Sequence, residues 1–355
     1  MKESRIIVIV GPNASGKSEL GVKLAKKLNG EIISADSRQV YKKLDVGSGK
    51  VRGRWKKGVF IYKNVTHRCI DIADPKKVFT ALDFRKCAEK AIADLLSRGK
   101  TPIIVGGAGF YIDAALGRIK LGGVPPDPVL RKKLADYSTT QLLNYLTELD
   151  PARAKSIEQK NPRRLIRAIE IASAKHDSSP KKRCGVDFAS RGETNDPLNG
   201  FFALFGTVPK RSEGQKGAKP SEPRAGGARM SEEGALVSPK NILWLGIKRM
   251  PEELKKRIRT RLIKRLLGII REVKKLRRSG VSWKRLYDFG LEYRYISLYL
   301  RGRLDYKLMA TQLQTATWHY AKRQMTYFKK NKEIRWISAN KEALRRVPIS
   351  IKDGK

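Results

Sequence analysis

The chain has 355 residues, 40% of them hydrophobic, enough to bury a substantial core and to exclude a wholly disordered protein. Lys and Arg number 77 against 34 Asp and Glu, a formal charge of +43, which points to a polyanionic partner because phosphate contacts release condensed counterions. Cys69, Cys87 and Cys184 form no C-x-x-C pair, so neither a zinc site nor a disulfide frame is expected; no signal-peptide or membrane-length apolar stretch occurs, and a cytoplasmic location without membrane association is expected.

In chain order, the β-branched run at residues 5–10 (RIIVIV) predicts a buried strand of a parallel sheet, and 17–28 follow with helical spacing. A second strand is expected at 31–35, and a helix at about 80–98 with Phe84, Cys87, Ala88, Ala91 and Leu95 on one face. TPIIVGG at 101–107 reads as another buried strand entering a glycine turn. This alternation predicts an α/β fold, with a parallel-sheet core and helices on both faces. Residues 127–149 and 162–175 are amphipathic helix candidates, interrupted by Asp150-Pro151 and Asn161-Pro162. Residues 178–240, rich in Gly, Pro, Ser, Lys and Glu, are expected to be disordered apart from the apolar patch at 201–205. A strand at 241–247 and basic helices at 251–279 and 306–331 complete the pattern. The expected organisation is 1–120 as the first part of the core and 121–177 as a small helical insertion domain. A low-complexity insertion at 178–240 and a core-completing basic region at 241–345 follow.

Gly11, Pro12, Asn13, Ala14, Ser15, Gly16, Lys17 and Ser18 match G-x-x-x-x-G-K-[ST] between a strand and a helix. In that context backbone N–H groups surround a phosphate, the lysine adds a point charge and the Ser18 hydroxyl ligates Mg²⁺. The motif specifies a polyphosphate and leaves its chemistry open. Asp71, after a short apolar run, is the best candidate for the second acid of a nucleotide hydrolase, and it is a weak one. Asp36 follows the second strand, at the carboxyl edge where open α/β sheets bind ligands. There it could serve as a general base, a metal ligand or a helix N-cap. His67 is expected to make a structural hydrogen bond.

Seven stretches in order resemble the tRNA dimethylallyltransferase family: Gly11–Ser18, Ile33–Tyr41 (ISADSRQVY), Leu44–Gly47 (LDVG), His67–Pro75 (HRCIDIADP), Val105–Tyr111 (VGGAGFY), Asn161–Glu170 (NPRRLIRAIE) and Tyr320–Phe328 (YAKRQMTYF). The resemblance implies an enzyme that moves a dimethylallyl group from its diphosphate to the exocyclic amine of the adenosine 3′ of the anticodon in tRNA. It implies that the phosphate loop holds the donor and that Asp36 removes the amine proton. Lys17, Mg²⁺ and an arginine, aligned at Arg261 with Arg257 one turn earlier, would neutralise the leaving diphosphate. The anticodon stem-loop would be held, with its target base flipped, by Asp36, Ser37, Arg38, Gln39, Ala108, Asn161, Arg163, Arg164, Lys322, Arg323 and Gln324. Tyr320, Tyr327 and Phe328 lie among those charges and fit either base stacking or the core. A monomer is expected.

Three positions depart from the family. Ala108 replaces a threonine that contacts tRNA, Trp318 and His319 replace Arg-Gln, and 178–240 is far longer than the usual connection. The rivals are an adenylate isopentenyltransferase, a P-loop small-molecule kinase and an inactive P-loop RNA-binding protein. The long basic region after 241 favours tRNA over a free nucleotide.

Overall fold

Ile6–Val10 (β1) is β-branched throughout and buried on both faces, as a central parallel strand requires. The computed structural model describes residues 6–119, 121, 123–178 and 242–338. The elements then run α1 (Lys17–Lys27), β2 (Gly30–Ala35), β3 (Arg54–Lys56), β4 (Val59–Tyr62), β5 (Val65–Arg68), α2 (Ala81–Ser97), β6 (Thr101–Gly106) and α3 (Gly109–Ala115). The helices α4 (Pro128–Lys133), α5 (Thr139–Leu149), α6 (Pro151–Ser156) and α7 (Pro162–Ser178) follow. The chain continues with β7 (Ile242–Lys248), α8 (Pro251–Arg278), α9 (Trp283–Asp288), α10 (Leu291–Leu300), α11 (Tyr306–Phe328) and β8 (Arg335–Ser338).

The strands form one sheet in the order β3-β4-β5-β2-β6-β1-β7-β8. It is parallel from β5 to β8, while β3 and β4 add antiparallel strands at one edge. Side chains alternate across β1. Ile7 and Ile9 pack with Leu20, Val22 and Leu24 of α1, and Ile6, Val8 and Val10 join the opposite core with Phe84, Ala88, Leu262 and Leu266. Helices therefore cover both faces, as the alternating pattern predicts. On α8 the buried residues are Leu254, Ile258, Leu262, Leu266, Ile269, Val273 and Leu276, a three-or-four spacing that turns one stripe inward and leaves Lys and Arg outside. Each such aliphatic side chain contributes roughly 1.5–3 kcal/mol on burial.

The described residues up to Leu121 and from Ile242 onward make one compact unit, and those of 123–178 make another. In the second unit Leu134, Leu142, Leu146, Ala154, Leu165 and Ile169 form a separate core. The buried carboxylate of Glu170 accepts from Arg131 Nε at 2.6 Å, Arg167 Nη1 at 2.9 Å and the Asp127 amide at 3.0 Å.

Several expectations need correction. The helix expected over 127–149 is broken, because the Ser138 side chain accepts from the Gln141 amide in a capping box that starts α5 anew. Cys69 and Cys87, expected as separate thiols, are joined in a disulfide, since α2 packs back on the turn after β5 and brings their Cα atoms to 6.0 Å. The antiparallel strands β3 and β4, together with β5, α9, α10 and β8, were not read from the sequence. The segment 179–240 lies outside the described residues. No helix among the described residues is long and apolar enough to cross a membrane.

Candidate active site

At the carboxyl end of β1 the chain turns through the Gly11–Ser18 loop into α1. Gly16 is the N-cap with φ 108°, a left-handed conformation that favours glycine. No side chain caps this helix, so its first N–H groups remain available to an anion. Ser15 Oγ is buried in the loop without a hydrogen-bond partner among the described residues. Lys17 Nζ donates to the Pro12 carbonyl at 2.7 Å.

The loop opens into a cavity of about 710 Å³. Its lining includes Asn13 to Ser18, Asp36, Gln39, Gly49 and Gly107, and from α8 Arg257, Arg261 and Arg265. The carboxylate and the phosphate cradle thus face one space. Asp36 Oδ1 accepts from the amides of Arg38 at 2.9 Å and Gln39 at 3.3 Å, so one oxygen fixes the turn that presents the residue. Residues 37–40 form a turn and no helix, so the helix N-cap considered for Asp36 is corrected to the cap of a turn. Arg257 Nε donates to the Ala14 carbonyl at 2.9 Å. Arg261 donates to Asn13 Oδ1 at 3.4 Å and to the Gly49 carbonyl at 3.2 Å, and burial followed by the neighbouring Arg265 lowers its pKa.

The loop after the second strand forms another wall. Glu272 Oε2 accepts from the amides of Asp45 at 2.8 Å and Val46 at 2.6 Å, and its Oε1 accepts from Gly47 at 2.9 Å and from the Tyr293 hydroxyl at 2.8 Å. Arg265 returns bonds to the carbonyls of Val46 at 2.8 Å and Gly47 at 2.7 Å. Arg249 Nε donates to the Ser15 carbonyl at 2.8 Å. Sequence reasoning missed Glu272, Arg265 and Arg249. Arg249 follows a late strand directly, and LDVG marks the loop, but nothing local pairs that loop with a glutamate 225 residues away.

The other expected site residues divide. Ser37 and Arg38 follow Asp36 in its turn, with Arg38 Nε donating to the Phe289 carbonyl. Ala108 is the N-cap of α3, its amide donating to the Ala35 carbonyl at 3.4 Å. Lys322 and Arg323 are exposed on α11, their charges over the rings of Trp318 and Tyr320 at 5.8 and 5.9 Å. Gln324, expected at the tRNA surface, is instead interior, at 7% exposure. Asn161, Arg163 and Arg164 belong to the second unit, where Arg164 pairs with Glu158 at 2.9 Å.

Among the aromatics, Phe328 is core, while Tyr327 is partly exposed and donates its hydroxyl to Asp113. Burial pushes Tyr320 up to about 12. Asp71 is no wall of the cavity; it accepts from Lys50 at 2.6 Å and Trp55 Nε1 at 2.7 Å. His67 is buried with Nδ1 3.0 Å from the Val65 carbonyl, and burial lowers its pKa. No group of three or more His, Cys, Asp or Glu able to hold a metal occurs among the described residues.

The fold and cavity define a P-loop α/β protein in which a phosphate cradle faces a carboxylate and a bank of arginines. The IPP transferase family profile matches residues 39–331, and that of isopentenyl transferase matches residues 4–70. The chain belongs to the IPP transferase family. It is 34% identical over 344 residues to tRNA dimethylallyltransferase 2 of Citrifermentans bemidjiense, covering 96% of this chain and 92% of that protein. It is 35% identical over 345 residues to tRNA dimethylallyltransferase 2 of Shewanella sediminis, covering 96% and 95%. Among solved structures it resembles the full-length tRNA isopentenylpyrophosphate transferase of Bacillus halodurans, with TM-score 0.58, 28% identity and coverage of 95% and 90%.

Proposed function

We propose that the protein transfers a dimethylallyl group from dimethylallyl diphosphate to the exocyclic amine of the adenosine 3′ of the anticodon in tRNA. The observation that carries this reading is the shared cavity of the Gly11–Ser18 cradle, Asp36 and the α8 arginines. In the reaction the amine nitrogen bonds to the allylic carbon, the bond from that carbon to the diphosphate oxygen breaks, and the amine proton passes to Asp36. That amine is a poor nucleophile because its lone pair is delocalised, so proton removal during bond formation assists it. The leaving diphosphate keeps the electron pair and is met by the first-turn N–H groups, Lys17, Arg257 and Arg261. Ser18, exposed on the first turn of α1 and facing the same cavity, would hold Mg²⁺ together with the donor's phosphate oxygens. When bound, the ion supplies further charge neutralisation.

The charge of +43 and the basic helices α8 and α11 support tRNA over a free nucleotide as acceptor. The test is incubation with unmodified tRNA, dimethylallyl diphosphate and Mg²⁺, then digestion and mass analysis for prenylated adenosine, with AMP and ATP as parallel acceptors. Product on tRNA alone is expected. Product on AMP alone would make it a nucleotide enzyme, and tRNA binding without product would leave an inactive RNA-binding protein. tRNA affinity should also fall steeply with added salt.

A further inference from the structure

Gln324 directly follows two exposed cations, Lys322 and Arg323, yet its own side chain points inward. Its Oε1 accepts from the Asn13 amide at 2.8 Å and its Nε2 donates to the Gly107 carbonyl at 2.9 Å. These are the two turns that flank the cavity: the cradle after β1 and the glycine turn after β6. The approach is close enough that a Cβ built on Gly107 would lie 2.2 Å from Gln324 Nε2, so the amide abuts bare backbone. Asn13 in turn accepts from Ala14 N–H at 3.0 Å and from Arg261 at 3.4 Å through its own Oδ1. The bridge therefore continues from α11 through the cradle to α8.

The chemistry of the bridge selects this residue type. A backbone N–H on one turn needs an acceptor, and a backbone carbonyl on the other needs a donor. A carboxamide supplies both, whereas an ionised carboxylate supplies only acceptors and an ammonium only donors. Leaving the part-buried Asn13 amide or the buried Gly107 carbonyl unsatisfied is unfavourable.

We infer that Gln324 is a positioning residue for the donor cradle, bracing the phosphate loop against the turn after β6, and is not a tRNA contact. The inference rests on the proposed donor role of the cradle.

The test compares wild type with Gln324→Glu, which keeps the acceptor and loses the donor, and Gln324→Met, which keeps the length and loses both. Calorimetry with inorganic diphosphate and filter binding of an anticodon stem-loop separate the two ligands, and steady-state kinetics give the two KM values. Diphosphate affinity and donor KM should worsen roughly tenfold in both variants, the loss equivalent to about 1.4 kcal/mol. Stem-loop affinity should stay within about twofold, and melting should stay cooperative. For Gln324→Glu the deficit relative to wild type should shrink as pH falls toward the carboxylic-acid range, because the protonated acid regains a donor. Weakened stem-loop binding with diphosphate binding intact would make Gln324 an acceptor contact and overturn the proposal. So would unchanged diphosphate affinity, or a loss shared equally by both ligands. If wild type bound diphosphate yet transferred nothing to tRNA, the proposed function would fail while the dependence of diphosphate binding on Gln324 still stood or fell by itself.

Discussion

Lys17 lends its Nζ to the Pro12 carbonyl at 2.7 Å while facing the cavity that also holds Asp36. Burial pulls its ammonium down from the usual lysine range to about 8; Asp36 opposes the shift and Arg261 adds to it. A diphosphate favours the charged form. Below about pH 8 the free protein already carries that charge, and above it binding must include uptake of a proton. Donor KM is therefore expected to rise above about pH 8, by up to tenfold per pH unit. Measuring donor KM from about pH 6.5 to 9.5 checks this, and a flat profile would contradict the role given to Lys17.

Asp36→Asn keeps an oxygen able to accept from the amides of Arg38 and Gln39, so the turn should survive while the base is lost. The expected outcome is a fall in transfer rate of about 10²–10⁴, the range typical for loss of general base catalysis, with tRNA affinity nearly unchanged. Single-turnover rates and filter binding measure the two separately. Parallel loss of affinity would mean that the carboxylate positions RNA and does not move the proton.

Glu272 gathers three backbone amides and a buried tyrosine hydroxyl, and so holds the wall that contains Gly49. Glu272→Ala should cost about 2 kcal/mol, because hydrogen bonds to a charged acceptor are the stronger kind. At 355 residues that corresponds to a melting-temperature drop of roughly 3 °C. Thermal unfolding by circular dichroism decides it; a shift under about 1 °C would mean that water replaces the carboxylate without loss.

The Cys69–Cys87 disulfide links positions 18 residues apart, and closing a loop of that size stabilises a fold by about 3 kcal/mol in the chain-entropy account. Adding reductant should lower the melting temperature, and Cys87→Ser should give the same lowered value with or without reductant. An identical transition for oxidised wild type and the variant would show that the bond carries no stability.

Much of the geometry of the phosphate loop and the acid beside it was legible, because its information is local. The turn, the lysine and the following helix all fall within Gly11–Ser18, and Asp36 sits one residue past a strand that its own β-branched pattern predicts. Contacts closed over long sequence separations were not legible. Glu272 meets its loop, and Arg249 meets Ser15, only because the sheet brings β7 beside β1. Gln324 was legible in principle: Thr317, Ala321, Gln324 and Phe328 are all buried, on one stripe of α11 at helical spacing. Its neighbours Lys322 and Arg323 drew attention to the opposite face. The disulfide escaped because cysteine spacing carries no information on how α2 folds back.

The placement of β7 beside β1 has a consequence for synthesis. A growing chain that has emerged only as far as residue 178 already possesses the whole phosphate motif. It still lacks Arg249, Arg257, Arg261 and Gln324, the side chains that fasten that motif from outside. Competence to grip a diphosphate should therefore arrive late in translation, after α11 has left the ribosome, and a half-made polypeptide would carry the signature without the grip.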